Sequence, residues 1–180
     1  LTTDDFVRPV PRPPQRTFAM DGALLFMDHD GRLGYFEVEG RKGAVLERTP
    51  IRDIQVSGDR AAWRVGDTLK VLRSGSAKVV GTGIERFSVS DSLVVFHDSI
   101  EHELAVLWRG QRIPIATVEQ GSALPQWTQG GNTVTFFNRS VRSVSLFHRG
   151  TVRTLTDSTD VGLAVNGTDI VAYWDDVRDE

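Results

Sequence analysis

The sequence predicts an all-β protein built from repeated four-stranded antiparallel units, and three observations carry this prediction. The first is an internal repeat in which a short alternating strand, a Gly, Asp or Asn turn and an apolar strand with an aromatic residue follow one another. The second is a glycine that closes another strand of each complete unit. The third is that apolar residues alternate or run continuously over about five positions. They do not recur at the 3.6-residue period of an amphipathic helix, and no capping residues precede such a pattern.

The aromatic residue of the repeat recurs at a spacing of roughly 33 to 41 residues, which is typical of repeat arrays. The segments that carry it are RTFAMDGALLFMD, IQVSGDRAAWRV, FSVSDSLVVFHD, PQWTQGGNTVTFF and LAVNGTDIVAYWDD. The equivalent aromatic positions are Phe26, Trp63, Phe96, Phe136 and Tyr173. This recurrence predicts that one structural unit follows another along nearly the whole chain.

The second half of each unit repeats as well, as YFEVEG, LKVLRSG, LAVLWRG and VSLFHRG. These segments end at Gly40, Gly75, Gly110 and Gly150. An aliphatic residue follows each glycine at one fixed offset, namely Val45, Val80, Ile115 and Leu155. We expect the glycine to supply the positive φ of a tight hairpin and the aliphatic residue to lie inside the next strand. Each unit is therefore predicted as four short strands in an up-and-down meander.

The second strand of each unit favours a β-propeller over a two-sheet sandwich. The segments LVVF, VTFF and IVAY are apolar at successive positions, so they need cover on both faces. Packed blades provide that cover, whereas a sandwich needs inward and outward alternation in most strands. We predict blades at 17–49, 53–82, 86–120 and 124–158 with a partial blade at 162–175, an incomplete ring of about four and a half blades.

The ends of the chain are predicted to flank these blades. Residues 1–16 are interpreted as the end of a preceding strand plus a Pro-rich linker, since Leu1 to Asp4 is similar to Leu155 to Asp157. Residues 176–180 are interpreted as a tail. The remaining blades are expected to belong to the same parent protein or to another chain.

The repeat resembles the blade of TolB-like propellers. Segments such as FSVSDSLVVFHD, LAVLWRG and IPIAT look like the degenerate pattern of that class, in which the first strand of each blade is innermost. The Ser-Pro-Asp-Gly turn of the class appears here only as MDG, VSGD, VSDS, TQGG and VNGT, and no WD dipeptide fits the repeat. The resemblance implies a propeller, and a bacterial protein that faces the periplasm or the exterior.

Composition excludes several classes of function. A hydrophobic fraction of 39% and a charged fraction of 25% are ordinary for a globular protein and argue against membrane insertion. The net charge of -3 provides no general attraction to nucleic acid, and the absence of Cys removes thiolate chemistry. The glycines are spread one per hairpin, so the sequence offers no phosphate-binding loop and no cofactor is expected.

The turns between the second and third strands of the blades are the candidate binding surface for a protein partner. In an up-and-down blade these turns lie at one face, which is where propellers usually bind. The candidate residues are Asp28, His29 and Asp30 in the first blade, His97, Asp98, Glu101 and His102 in the third, and Arg139 and Arg142 in the fourth. Arg32, Asp67 and Glu103 belong to the same turns.

Three motifs have a functional and a structural interpretation. The stretch Asp28 to Gly31 starts like a calcium loop but lacks the later ligands, so a hairpin turn is the alternative. The loop from His97 to Glu103 holds enough His and carboxylates for a divalent metal, or is a solvated turn. Arg8, Pro11 and Pro14 have the spacing of an SH3 ligand, or belong to an interblade linker.

No catalytic constellation stands out. The sequence contains neither a GxSxG elbow nor an HExxH motif, and paired carboxylates such as Glu101 and Glu103 are candidates for glycoside cleavage, or are adjacent surface acids. Trp108 and Trp127 are interpreted as blade-packing residues or as part of a binding surface. We therefore expect a non-enzymatic scaffold that binds a protein partner. The alternatives are a propeller domain of a hydrolase, gating a peptidase or binding carbohydrate, and a metal-binding propeller.

Overall fold

The computed structural model of the protein describes residues 14–73, 75–157 and 164–173. These residues form strands and turns without a helix, and none belongs to a helix that is long and apolar enough to cross a membrane. The chain divides into two compact units, Leu1–Val80 and Gly81–Glu180. The predicted strand end at 1–4, the motif residues Arg8 and Pro11, and the tail at 176–180 lie outside the described residues.

The first unit contains two four-stranded antiparallel sheets, each with its strands in chain order. The first sheet consists of β1 (Arg16–Met20), β2 (Ala23–Met27), β3 (Leu33–Glu37) and β4 (Lys42–Glu47). The second consists of β5 (Ile54–Ser57), β6 (Arg60–Val65), β7 (Thr68–Arg73) and β8 (Ser76–Gly81).

The second unit contains two further four-stranded sheets and a two-stranded one. The third sheet consists of β9 (Ile84–Val89), β10 (Leu93–Asp98), β11 (Glu103–Trp108) and β12 (Gln111–Thr117). The fourth consists of β13 (Trp127–Gln129), β14 (Thr133–Asn138), β15 (Ser143–His148) and β16 (Thr151–Thr156). The fifth pairs β17 (Ala164–Asn166) with β18 (Val171–Tyr173). The predicted all-β class of four-stranded antiparallel blades is thus confirmed.

The tight turns between the third and fourth strands follow the prediction in three blades and depart from it in one. Gly75, Gly110 and Gly150 have φ of 73°, 82° and 88°, as the repeat predicts. Arg109 precedes Gly110 with φ 52°, so both central residues are left-handed, as a type I′ hairpin requires. Gly40 does not have a positive φ. Arg41 takes that conformation at φ 49°, because Glu37 pairs with Lys42 and the turn is two residues longer.

The predicted aliphatic residues lie inside the fourth strands, and a β-bulge accompanies them. The register between third and fourth strands shifts at Leu33/Gly34, Leu104/Ala105 and Val144/Ser145. The shift leaves Leu46, Ile115 and Leu155 without a directly opposite partner. Because one extra residue bends a strand and increases its twist, the fourth strand of these blades is bent.

The second strands show how far the two-sided burial extends. All six residues of β10 are buried, and so are the first four of β6 and of β14. In the second unit, β10 and β11 contribute Val95 and Val106 to the same apolar cluster as Phe136 and Phe147. The prediction is wrong for the segment IVAY: Tyr173 is 43% exposed, because β18 pairs with β17 alone among the described strands.

The first strands of the second unit connect neighbouring blades through polar side chains. Trp127 donates from Nε1 to Ser88 Oγ at 2.7 Å, so Trp127 packs between blades and does not line an open surface. Gln129 donates to the Leu93 carbonyl at 3.2 Å. One repeat later, Asn166 donates from Nδ2 to the Thr128 carbonyl at 2.7 Å. Gln129 and Asn166 occupy equivalent positions, and each donates a hydrogen bond to a backbone carbonyl of the preceding blade.

Candidate functional site

The turns between second and third strands are braced by one side chain from an equivalent position of three blades. Asp28 Oδ1 accepts hydrogen bonds from the backbone N–H groups of Asp30 and Arg32, both at 2.9 Å. Asp98 Oδ1 accepts from Ile100 and Glu101 at 2.9 Å. Asn138 Oδ1 accepts from Ser140 at 3.1 Å. Asp and Asn stabilise turns in this way, so Asp28 and Asp98 have structural roles here.

Asp98 also belongs to an ionic cluster in the third blade. Its Oδ2 accepts from Arg112 Nη2 at 2.8 Å, and Arg112 donates to Glu103 Oε1 at 2.6 Å from Nη2 and at 3.0 Å from Nε. Burial raises the pKa of Asp98, but the hydrogen bonds from Glu101, Arg112 and Ile100 outweigh it and hold that pKa below its ordinary value. The ionised carboxylate is therefore the stable form of Asp98.

The remaining predicted site residues divide between buried and exposed positions. His97 is buried, with Nδ1 at 3.4 Å from a carboxylate oxygen of Glu85. His102 is half-buried with φ 53°, and its carbonyl accepts from the Val118 N–H at 2.7 Å. The exposed members, at the tips of the turns, are His29, Asp30, Glu101, Arg139 and Arg142. Of the nine candidate residues, only these five present their side chains broadly to solvent.

The contacts of Asp28, Asp98 and Glu103 bear on the metal and catalytic alternatives. The Asp28 carboxylate is directed at the backbone of its own hairpin, as expected for a turn. Glu103 is paired with Arg112, which leaves Glu101 without a second free carboxylate beside it in that loop. Throughout residues 14–73, 75–157 and 164–173, no three His, Asp or Glu side chains are close enough to share a metal ion.

Sequence reasoning missed a cleft in the first unit. The cleft lies at the end of the strands opposite to the second-to-third turns. The cleft has a volume of about 760 Å³ and lies between the first and second blades. It is formed by the turns that join first to second and third to fourth strands, whereas the predicted surface lies at the second-to-third turns. Its charged lining residues are Asp21, Glu37, Glu39, Lys42 and Asp59. These acids come from separate turns and strands, so no local motif indicates them.

Comparison with known proteins supports the fold. The sequence profile of one family, described as "10-bladed beta propeller domain", matches residues 12–180. No curated protein matches significantly. Among solved structures, Kluyveromyces lactis Hsv2 is 11% identical with a TM-score of 0.51, over 78% of this chain and 50% of Hsv2. Human WBSCR16 is 9% identical with a TM-score of 0.51, over 84% of this chain and 54% of WBSCR16. The chain thus spans about half the length of these structures.

Of the two expectations that came from the TolB resemblance, one stays unconfirmed and the other is wrong. The propeller class is shown by the family match, but membership of the TolB-like class is not confirmed. The expected bacterial origin and periplasmic or extracellular location are wrong on these comparisons, because the two similar structures named above come from a yeast and from human. Short degenerate blade repeats indicate a fold, and they do not distinguish the organisms that use it.

Proposed function

The chain belongs to the 10-bladed beta propeller domain family, and we propose that it acts as a non-enzymatic scaffold that binds a protein partner through turns at one face of its blades. The observation that carries this proposal is the bracing of three second-to-third turns by Asp28, Asp98 and Asn138. A braced turn keeps its backbone in place while its tip residues differ from blade to blade. Rigid loops with variable tips are suited to recognition, because little conformational entropy is lost on binding.

The tips of these turns differ in charge between the blades. The first blade presents His29 and Asp30, the third presents Glu101, and the fourth presents Arg139 and Arg142. Within the second unit, a partner that places positive charge against Glu101 and negative charge against Arg139 and Arg142 would be selected by these tips, which affects specificity and association rate more than raw affinity. The partner is a separate protein or consists of further blades of the same parent protein. Kinship with TolB-like propellers is a separate matter and stays a prediction from the repeat alone.

A variant with altered tips tests the binding role. We expect short random peptides displayed on phage to be enriched on the immobilised chain, and selected clones to bind the variant Asp30→Ser/Glu101→Ser/Arg139→Ser/Arg142→Asn about tenfold more weakly. The bracing residues are unchanged in this variant, so the turns keep their shape. A control replaces the exposed charges Lys78, Asp91 and Arg153 with Ser, away from these tips. Clones that bind the tip variant as tightly as the unmodified chain would contradict the proposal.

The non-enzymatic part has a separate test. We expect no release of nitrophenol from a panel of p-nitrophenyl glycosides by the full chain, since Glu103 is held by Arg112. The control is the variant Glu101→Gln/Glu103→Gln, which lacks both candidate carboxylates. Turnover by the unmodified chain that disappears in this variant would assign a glycosidase activity and refute this part of the proposal.

A further inference from the structure

We propose that the cleft between the first and second blades binds an arginine-rich segment of a protein partner. The cleft is at the opposite end of the strands from the braced turns, so this inference does not depend on the function proposed above. Its volume of about 760 Å³ is within the usual range of ligand sites and exceeds what one side chain would fill. The lining includes Gly22, Gly43 and Gly75, which add no side chains to the space.

The charge of the cleft is the first argument for a cationic occupant. Four carboxylates line it, those of Asp21, Glu37, Glu39 and Asp59, against the single ammonium group of Lys42. The ion pairs found among the described residues involve other acids, among them Glu47 with Lys70 and Asp53 with Arg64. Within the described residues, the four cleft carboxylates therefore lack the cationic partners that these other acids have, and a basic ligand would supply them.

The spacing of the carboxylates distinguishes an extended cation from a metal ion. A metal needs three or more ligands converging within a few ångströms, and no three acidic or His side chains do so in any described part of the chain. The carboxylates instead come from the turn after β1, from β3, from the turn after β3 and from the turn after β5. Charges distributed in this way match a segment that carries several guanidinium groups along its length.

Tyr35 favours arginine over lysine. This tyrosine lines the cleft, and its hydroxyl is beside Gly75, at 3.7 Å from where a Cβ on that glycine would be. Burial, and then the negative charge of Glu37, raise the pKa of Tyr35. Tyr35 and Glu37 are two residues apart in β3, so their side chains lie on the same face of that strand, and both line the cleft. A guanidinium group stacks on an aromatic ring and donates to a carboxylate at the same time, which an ammonium group does less well.

The test measures binding of two labelled peptides to the full chain. We expect a fluorescein-labelled peptide of alternating arginine and serine to bind, by fluorescence anisotropy, at least about tenfold more tightly than its lysine counterpart. Binding should weaken as NaCl is raised from about 50 to about 500 mM, because the contacts are ionic. The cleft variant Asp21→Asn/Glu39→Gln/Asp59→Asn should lose about tenfold or more in affinity for the arginine peptide.

The control variant removes the same number of charges from the other end of the strands. It is Asp30→Asn/Asp67→Asn/Glu101→Gln, and it should retain the affinity of the unmodified chain. Equal losses in both variants would show general attraction to an acidic protein and would overturn the proposal. Spermine that displaces the arginine peptide at stoichiometric concentration would also overturn it, in favour of a polyamine site. Absence of peptide binding would overturn this proposal and leave the turn-face proposal unaffected.

Discussion

Replacing Gly130 by Ala is expected to detach the β17–β18 hairpin from the fourth blade. A Cβ at Gly130 would lie 1.9 Å from the carbonyl oxygen of Gly167 and 2.7 Å from Thr133 Oγ1. Real Cβ atoms do not approach backbone this closely, and a backbone carbonyl cannot rotate away as a side chain can. The hairpin therefore has to move, and a two-stranded hairpin is marginally stable without its neighbours.

The move would break the hydrogen bonds that hold the hairpin in place. Asn132 N–H donates to the Thr168 carbonyl at 2.7 Å, Thr133 Oγ1 donates to the Gly167 carbonyl at 2.9 Å, and Asn132 Nδ2 donates to Asp169 at 3.0 Å. We expect amide hydrogen exchange within residues 164–173 to accelerate by about a hundredfold, while β9–β12 keep their protection. Mass spectrometry of peptic fragments measures both regions in one experiment.

Gly40→Ala is the matched control for this change. Gly40 also has no positive φ, but its nearest neighbour is the tip of the Glu37 side chain at 2.6 Å, which can rotate away. We expect exchange in residues 164–173 to be unaltered in this control. Unchanged exchange in Gly130→Ala would show that the fifth sheet does not rest on the fourth in the way described.

Replacing Asp98 by Asn is expected to lower the free energy of unfolding by about 2–3 kcal/mol, because a buried ionic hydrogen bond to Arg112 is lost. An amide still accepts the turn N–H groups, as Asn138 does at the equivalent position of the fourth blade. The substitution therefore isolates the contribution of Arg112 from that of the turn. Urea unfolding, with hydrogen exchange in β9–β12 to localise the effect, measures it.

The first blade offers the control for Asp98. Asp28 braces the same turn, yet its hydrogen bonds go to backbone groups of its own hairpin. Asp28→Asn should change the free energy of unfolding by no more than about 0.5 kcal/mol, since an amide oxygen replaces the carboxylate. Comparable losses in Asp28→Asn and Asp98→Asn would contradict the role assigned to Arg112.

The free energy of unfolding is expected to fall in acid, because Asp98 and Glu47 become protonated. Burial opposes ionisation of Asp98 and of Glu47, but hydrogen bonds, including those from Arg112 and Lys70, lower their pKa values below the ordinary 3.8 and 4.5. Their contribution to stability is complete above those ordinary values and is lost as the pH falls through the lower pKa values of the folded state. Urea midpoints measured between about pH 6 and pH 2 should show this loss, with a shallower slope for Asp98→Asn.

The repeat allowed much of the fold to be predicted, and the exceptions have local causes. The strand order and the hairpin glycines at Gly110 and Gly150 follow from patterns of a few residues. The positive φ expected at Gly40 moved to Arg41, because the length of that turn depends on which residues of β3 and β4 pair. Tyr173 matches the buried aromatic positions in sequence, but its burial depends on strands that would have to cover it.

The candidate sites were less accessible to sequence reasoning. Asp28 and Asp98 look alike in sequence, and the sequence alone suggests a ligand site for both. The tertiary structure shows that their oxygens accept backbone N–H groups, and that Arg112 reaches Asp98 from a strand two positions away in the sheet. Roles of charged side chains depend on distances between segments that are far apart in the chain, which periodicity does not encode.

The amino-acid sequence by itself determined that this protein is a series of four-stranded antiparallel blades, since alternation, apolar runs and turn residues are local properties of the chain. Only the tertiary structure decided which carboxylates are satisfied and which remain open to a ligand. Asp98 and Glu103 both pair with Arg112. Asp21 and Asp59 line the cleft, and neither has a cationic partner among the described residues. Electrostatic pairing acts through space, so it is settled when the blades pack.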